Sequence, residues 1–163
     1  MPALAPDWPP RTILVAVDTD PEATLLVQRA ATLALLLGAR LVVVHAVCIG
    51  TFDEPTPTTG LLEVLEGLDV DAYGHVARWV KGAAAEGVEV TALVRHGAPA
   101  RVLTEAIRTE RADLIVLGSK PRSRIMRAML GDLHQELSDV GGCAVLRVPV
   151  GLGELQSATP AAR

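Results

Sequence analysis

The chain has 163 residues, half of them hydrophobic and only 2% aromatic, enough apolar material for one domain core built from Leu, Val, Ile and Ala. A net charge of −4 argues against general nucleic-acid binding, which needs basic surface to displace counterions, and the scarce aromatics leave little on which single strands can stack. Cys48 and Cys143 are too few for a disulfide framework or zinc cluster, no segment has the length of a membrane span, and the first ten residues carry no cation and no long apolar run, which is the pattern of a cytoplasmic protein.

Residues 1–10 read as an extension. "TILVAV" (12–17) is a continuous apolar run ending at Asp18, the signature of a buried strand. A helix follows, with Asp20 as its expected N-cap, Pro21 at its first position and Gly38 at its exit. "LVVVHAV" (41–47) is a second buried strand, and the Thr-, Pro- and Gly-rich residues 48–60 are a loop. Leu62, Leu65, Leu68, Ala72, Val76, Val80 and Ala83 then recur at helical spacing to about Glu86, weakened by Gly67, Gly74 and Gly82. "VEVTALV" (88–94) places Val88, Val90, Ala92 and Val94 on one face and Glu89 and Thr91 on the other, as in a half-wet edge strand. "GAPARVLTEAIRTERA" makes a turn and a third helix, and "DLIVLG" (113–118) is a fourth strand, fully apolar after its Asp. A helix is expected from about Ser123 to Val140, broken at Gly131. "CAVLRVPV" (143–150) is a fifth strand whose Pro149 suits an edge, and residues 151–163 form a loose tail.

This alternation predicts an α/β domain over 11–150, an open five-stranded parallel sheet with helices on both faces. Placing the two edge-like strands outermost gives the order 3-2-1-4-5. That order reverses between strands 1 and 4, so a ligand is expected outside their carboxyl ends, where Asp18 and Gly118 stand. The same order separates the strands bearing Cys48 and Cys143 by roughly 14 Å. A disulfide spans at most about 7 Å between Cα atoms, so both cysteines are expected to be free thiols.

One stretch departs from the acidic balance. In "GSKPRSRIMRAMLGD" (118–132), Lys120, Arg122, Arg124 and Arg127 contribute +4 before Asp132, leaving −8 for the rest of a chain whose total is −4. A local basic patch on an acidic protein suits a small anion better than a polymer, although a solvated, Arg-rich loop has the same composition.

Four segments, in order, resemble the universal stress protein family: "ILVAVDTDPEA", "GARLVVVHAV", "VRHGAPARVLTEAIRTERADLIVLGS" and "GSKPRSRIMRAMLGDLHQELSDVGGCAVLRVPV". The resemblance runs from about Arg11 to Val150 and implies a Rossmann-like fold. ATP-binding members carry a pattern G-x2-G-x9-G-[ST]. Gly118 and Gly131 fill its first and third places, while Pro121 and Asp132 replace the second glycine and the final Ser or Thr. By that resemblance Ala16, Asp18, Ala46 and Leu117 line the adenosine end, and Gly118, Gly131 and Leu133 lie near the phosphates, with Lys120, Arg122 and Asp132 in the same loop.

The departures have a physical consequence. Pro121 offers no backbone N–H, and a lost hydrogen bond to a charged group costs about 1.5–3 kcal/mol. Asp132 at a helix start satisfies free N–H groups itself and repels a phosphate by roughly 0.7–3 kcal/mol at 6 Å. Together these weaken a triphosphate by on the order of 10²- to 10⁴-fold, which the loop cations partly offset.

Three function classes follow. The first is a non-catalytic, stress-response binding protein with weak or lost ATP binding. It is expected as a homodimer, because an edge strand such as "AVLRVPV" leaves backbone groups for a second copy to pair with or cover, and a further protein partner fits the same description. The second is an ATP-binding switch of the same family. The third, an adenylyl-transferring enzyme, lacks its SGGxDS and HxGH motifs here, and no nucleophile–base arrangement stands in their place, so the protein is read as not an enzyme. Among single residues, Asp20 suits the helix cap better than Asp18, which leaves Asp18 for the crevice. His45 reads as a hydrogen-bonded core histidine and His96 as a turn residue or a strand-end residue that approaches a ligand, while His75 and His134 lack acidic or thiol partners at metal spacing. Met126 and Met129 read as core contacts of the loop or, if exposed, as a partner surface.

Overall fold

Strand β1 (Thr12–Val17) lies at the centre of a five-stranded parallel sheet of order β3-β2-β1-β4-β5, with β2 at Arg40–Val47, β3 at Val90–His96, β4 at Leu114–Gly118 and β5 at Ala144–Val148. The computed structural model describes residues 8–18, 22–47, 61–118 and 142–150, with residues 61–70 described in their backbone course. The expected loop at 48–60, the helix at 123–140, the tail at 151–163, Asp20, Pro21 and Cys48 lie outside the described residues.

Every residue of β1 is buried, as its unbroken apolar run requires of a strand covered on both faces. Ile13, Val15 and Val17 face helices α1 (Ala23–Leu37) and α2 (Leu61–Ala85), joining Leu41, Val43, Leu114 and Val116 in one core layer. Leu14 and Ala16 face helix α3 (Pro99–Glu110), joining Val42, Val44, Ile115 and Leu117 in the other. Alternation along each strand therefore divides one sheet between two cores.

Helix α1 begins later than its sequence signals suggest. Glu22 occupies the cap position in an αR conformation, makes no side-chain cap hydrogen bond, and offers its carbonyl to the Leu26 N–H. At the other end Gly38 takes φ 66°. Its N–H reaches the Leu35 carbonyl and the Ala39 N–H reaches the Ala34 carbonyl, a Schellman closure that glycine enters without Cβ strain. Helix α3 closes in the same way at Arg111, whose φ of 52° is a costlier setting for an L side chain.

The apolar stripe of α2 buries Ala72, Val76 and Ala83 as its spacing predicts, and also Trp79, which the sequence pattern did not single out. The indole N–H of Trp79 donates to Thr24 Oγ1 at 3.1 Å, tying α2 to the first turn of α1. Strand β3 starts at Val90 rather than Val88 and continues to His96, so His96 is a strand end rather than a turn residue. Val47 is its register partner, and the extension follows from pairing with β2 along one side. On this edge Thr91 and Ala92 are exposed while Val94 is buried and Val90 packs against the same core, so Ala92 lies on their face of the strand but is left uncovered at the sheet edge.

Polar groups close the amino end of the sheet. Asp113 Oδ2 accepts from the backbone N–H groups of Arg11 (2.8 Å) and Thr12 (3.0 Å). The Arg40 guanidinium donates to Glu110 Oε2 (3.0 Å), the Glu110 carbonyl (2.7 Å) and Thr12 Oγ1 (3.1 Å), so one side chain holds the starts of β1 and β2 to the end of α3. Cys143, a free thiol just before β5, lies beside this cluster. Burial, reinforced by the Asp113 carboxylate and opposed by a backbone hydrogen bond at Ile115, pushes its pKa up to about 11.

Candidate functional site at the carboxyl ends of β1 and β4

Strand β1 pairs with β2 from Thr12↔Arg40 to Val17↔His45, but with β4 only from Ile13↔Leu114 to Val15↔Val116. Ladder pairing between β1 and β4 thus stops before either strand ends, and it stops where the strand order reverses. Parallel sheets open a crevice at this position because the connections leave β1 and β4 toward opposite faces.

Three of the residues assigned to the adenosine end come together here. Ala16 and Leu117 are buried in the α3-side core, and Ala46 packs against the same cluster half-buried. All three are small or apolar and belong to the core layer beneath α3. Asp18, the residue after β1, is exposed. Gly118, the last residue of β4, lies on the opposite face. A Cβ built there meets Val150 Cγ2 at 3.4 Å and Leu26 Cδ2 at 3.8 Å. Gly118 therefore has a packing neighbourhood that its motif position did not announce: Val150 is buried in the α1/α2-side core immediately after Pro149. Lys120, Arg122, Gly131, Asp132 and Leu133 lie outside the described residues, as do Pro121, Met126, Met129 and His134.

His45 is buried in β2, and its Nδ1 lies 2.9 Å from the Val17 carbonyl oxygen. This is the hydrogen-bonded core histidine expected from its apolar surroundings. Its partner, the last residue of β1, was not legible from the sequence, because the bond runs across the ladder between residues 28 apart. His75 accepts a hydrogen bond from Arg78 at Nδ1 (2.8 Å) and stacks on Trp79. Among the described residues no group of three His, Cys, Asp or Glu side chains is placed to hold a metal ion, and no helix is long and apolar enough to cross a membrane.

A family model for the universal stress protein family matches residues 10–149, most of the chain. The chain belongs to the universal stress protein family. Among solved structures it is similar to the universal stress protein UspA from Lactobacillus plantarum, with 22% identity over 84% of this chain and 96% of that one and a TM-score of 0.68. It is also similar to a family member from Burkholderia pseudomallei, with 28% identity over 85% and 96% and a TM-score of 0.59. A third is a universal stress protein in complex with cAMP, at 23% identity over 87% and 99% with a TM-score of 0.63. Comparison with curated protein sequences gave no match. Both the five-stranded order and the family expected from the four sequence segments are thus established.

Proposed function

We propose that this universal stress protein is a non-catalytic regulatory binding protein, dimeric, with an adenine-nucleotide site at the carboxyl ends of β1 and β4 whose affinity for ATP is weak. The observation that carries the reading is the early end of β1–β4 pairing beside Ala16, Leu117 and Ala46, with Asp18 exposed next to it. Small and apolar side chains suit an adenine face. An exposed carboxylate suits the hydroxyls of a ribose, to which it offers acceptors only. These residues fit the base and sugar end of a nucleotide. The phosphate end is the part that departs from the family pattern, through Pro121 and Asp132.

A relative of the same fold has been solved with cAMP, whose phosphate carries one negative charge. Repulsion by Asp132 grows with phosphate charge, so a cyclic monophosphate loses less than a triphosphate. Isothermal titration calorimetry with cAMP, AMP and magnesium ATP tests the reading. Binding of a monophosphate at least tenfold tighter than ATP supports it. Micromolar ATP binding that a Gly118 and Gly131 double substitution abolishes instead favours the nucleotide switch, and heat from none of the three at millimolar ligand overturns the site. The dimer is tested separately by multi-angle light scattering, where a monomer at micromolar concentration refutes it.

A further inference from the structure

His45 is an expensive choice for its position. Val43 and Val44 before it and Val47 beyond it show what fills this strand cheaply, yet an imidazole stands among them only 5% exposed. A buried polar ring is tolerated only when its nitrogens are satisfied. A carbonyl oxygen only accepts, so Nδ1 carries the proton in the bond to Val17.

The identity of that carbonyl matters. Val17 is the last residue of β1, and its C=O belongs to the same peptide unit as the Asp18 N–H. Peptide units are planar, so a hydrogen bond that fixes the direction of the Val17 carbonyl also fixes the plane from which Asp18 departs. The bond is made at Val17↔His45, the last pair of the β1–β2 ladder, where no further strand pairing between these two holds the chain. On the α1 side, Trp79 holds Thr24 in the first turn of that helix. The connection from β1 to α1 is thus pinned on both sides by buried side chains from β2 and α2.

We propose that His45 is a positioning residue for the nucleotide site, acting through the Val17–Asp18 peptide to set where the Asp18 carboxylate is presented. The inference rests on the reading of the Asp18 crevice as that site. His45→Asn retains an N–H donor near the place of Nδ1, whereas His45→Leu fills the volume and removes the donor. A purely structural histidine predicts that Leu, apolar and close in volume, is the better replacement by every measure. A positioning histidine predicts crossed orders. His45→Leu is then at least as stable to urea as His45→Asn but binds cAMP about tenfold more weakly, the worth of one hydrogen bond. Affinity that follows stability, with Leu binding as wild type and Asn losing binding, overturns the proposal.

If His45→Leu does not fold, titration of the wild-type protein with cAMP decides the matter by NMR. A ligand-induced shift of the His45 ring resonances supports the coupling, and unchanged resonances overturn it. If wild-type protein binds none of the nucleotides, the proposed function fails on its own, and hydrogen exchange at the Asp18 amide then decides the clamp. Exchange about tenfold faster in His45→Leu than in His45→Asn upholds it, and equal exchange refutes it.

Discussion

At the amino end of the sheet, Asp113, Arg40, Thr12 and Glu110 satisfy one another and the backbone at the starts of β1 and β2, and burial and Asp113 push the pKa of the Cys143 thiol beside them up. At the carboxyl end, β1 and β4 stop pairing before they finish, Asp18 is exposed, and the buried ring of His45 in β2 hydrogen-bonds the backbone carbonyl next to Asp18. One end uses its charges to close the fold. The other ends its central ladder early and leaves Asp18 exposed. A parallel sheet makes this division natural, because all its strands begin at one end and all the connections that diverge toward opposite faces leave from the other.

Removing the closing groups should therefore damage stability first. Asp113→Ala deletes the acceptor of two backbone N–H groups and should cost about 2–4 kcal/mol in urea unfolding, the worth of two hydrogen bonds to a charged group partly screened by solvent. A loss under about 0.5 kcal/mol breaks the comparison, since surface changes of no consequence fall in that range. Arg40→Leu removes donors to Glu110 and Thr12 but leaves Glu110 able to reach water, so its cost should be smaller, about 1–2 kcal/mol in the same assay.

Cys143 reads the closed end chemically. With its pKa near 11, the thiolate is scarce at pH 8, and its greater intrinsic nucleophilicity recovers only part of the loss. Iodoacetamide labelling of the folded protein should run about tenfold slower than for an ordinary cysteine, and Asp113→Asn should quicken it by removing a charge that raises the pKa. Labelling at the ordinary rate contradicts a sealed end. Because the folded-state value is raised, the thiol's contribution to stability is fully present below the ordinary pKa of 9.0 and is lost as pH rises through about 11.

The smallest expected stability change is at the open end. Gly118→Ala adds a methyl that meets Val150 and Leu26 at van der Waals distance, so unfolding should shift by less than about 0.5 kcal/mol. If nucleotide affinity falls while stability holds, the glycine serves a ligand. If stability falls by more than about 1.5 kcal/mol, the glycine serves the seat of Val150 instead.

Strand placement and sheet order were legible because they rest on patterns carried by contiguous residues. The apolar runs around Val15, Val43 and Val116 were long enough to demand burial on both faces, and the wetter "VEVTALV" and Pro149 marked the edges. The start of α1 was less legible, since Asp20 and Pro21 signal a beginning that the helix at Ala23 does not follow. The extent of β3 was set by pairing with β2 as far as Val47↔His96 rather than by its own alternation.

By itself, then, the sequence determined the fold class, the strand order and the family. These follow from local periodicity and from the topological rule for parallel sheets. Only the tertiary structure decided that Asp113 holds Arg11 and Thr12 from about a hundred residues away, that Val150 and Leu26 flank Gly118, and that His45 grips the carbonyl before Asp18. Hydrogen bonds and packing between distant segments leave no periodic trace, because their partners are chosen by where folding brings the strands and not by their spacing along the chain.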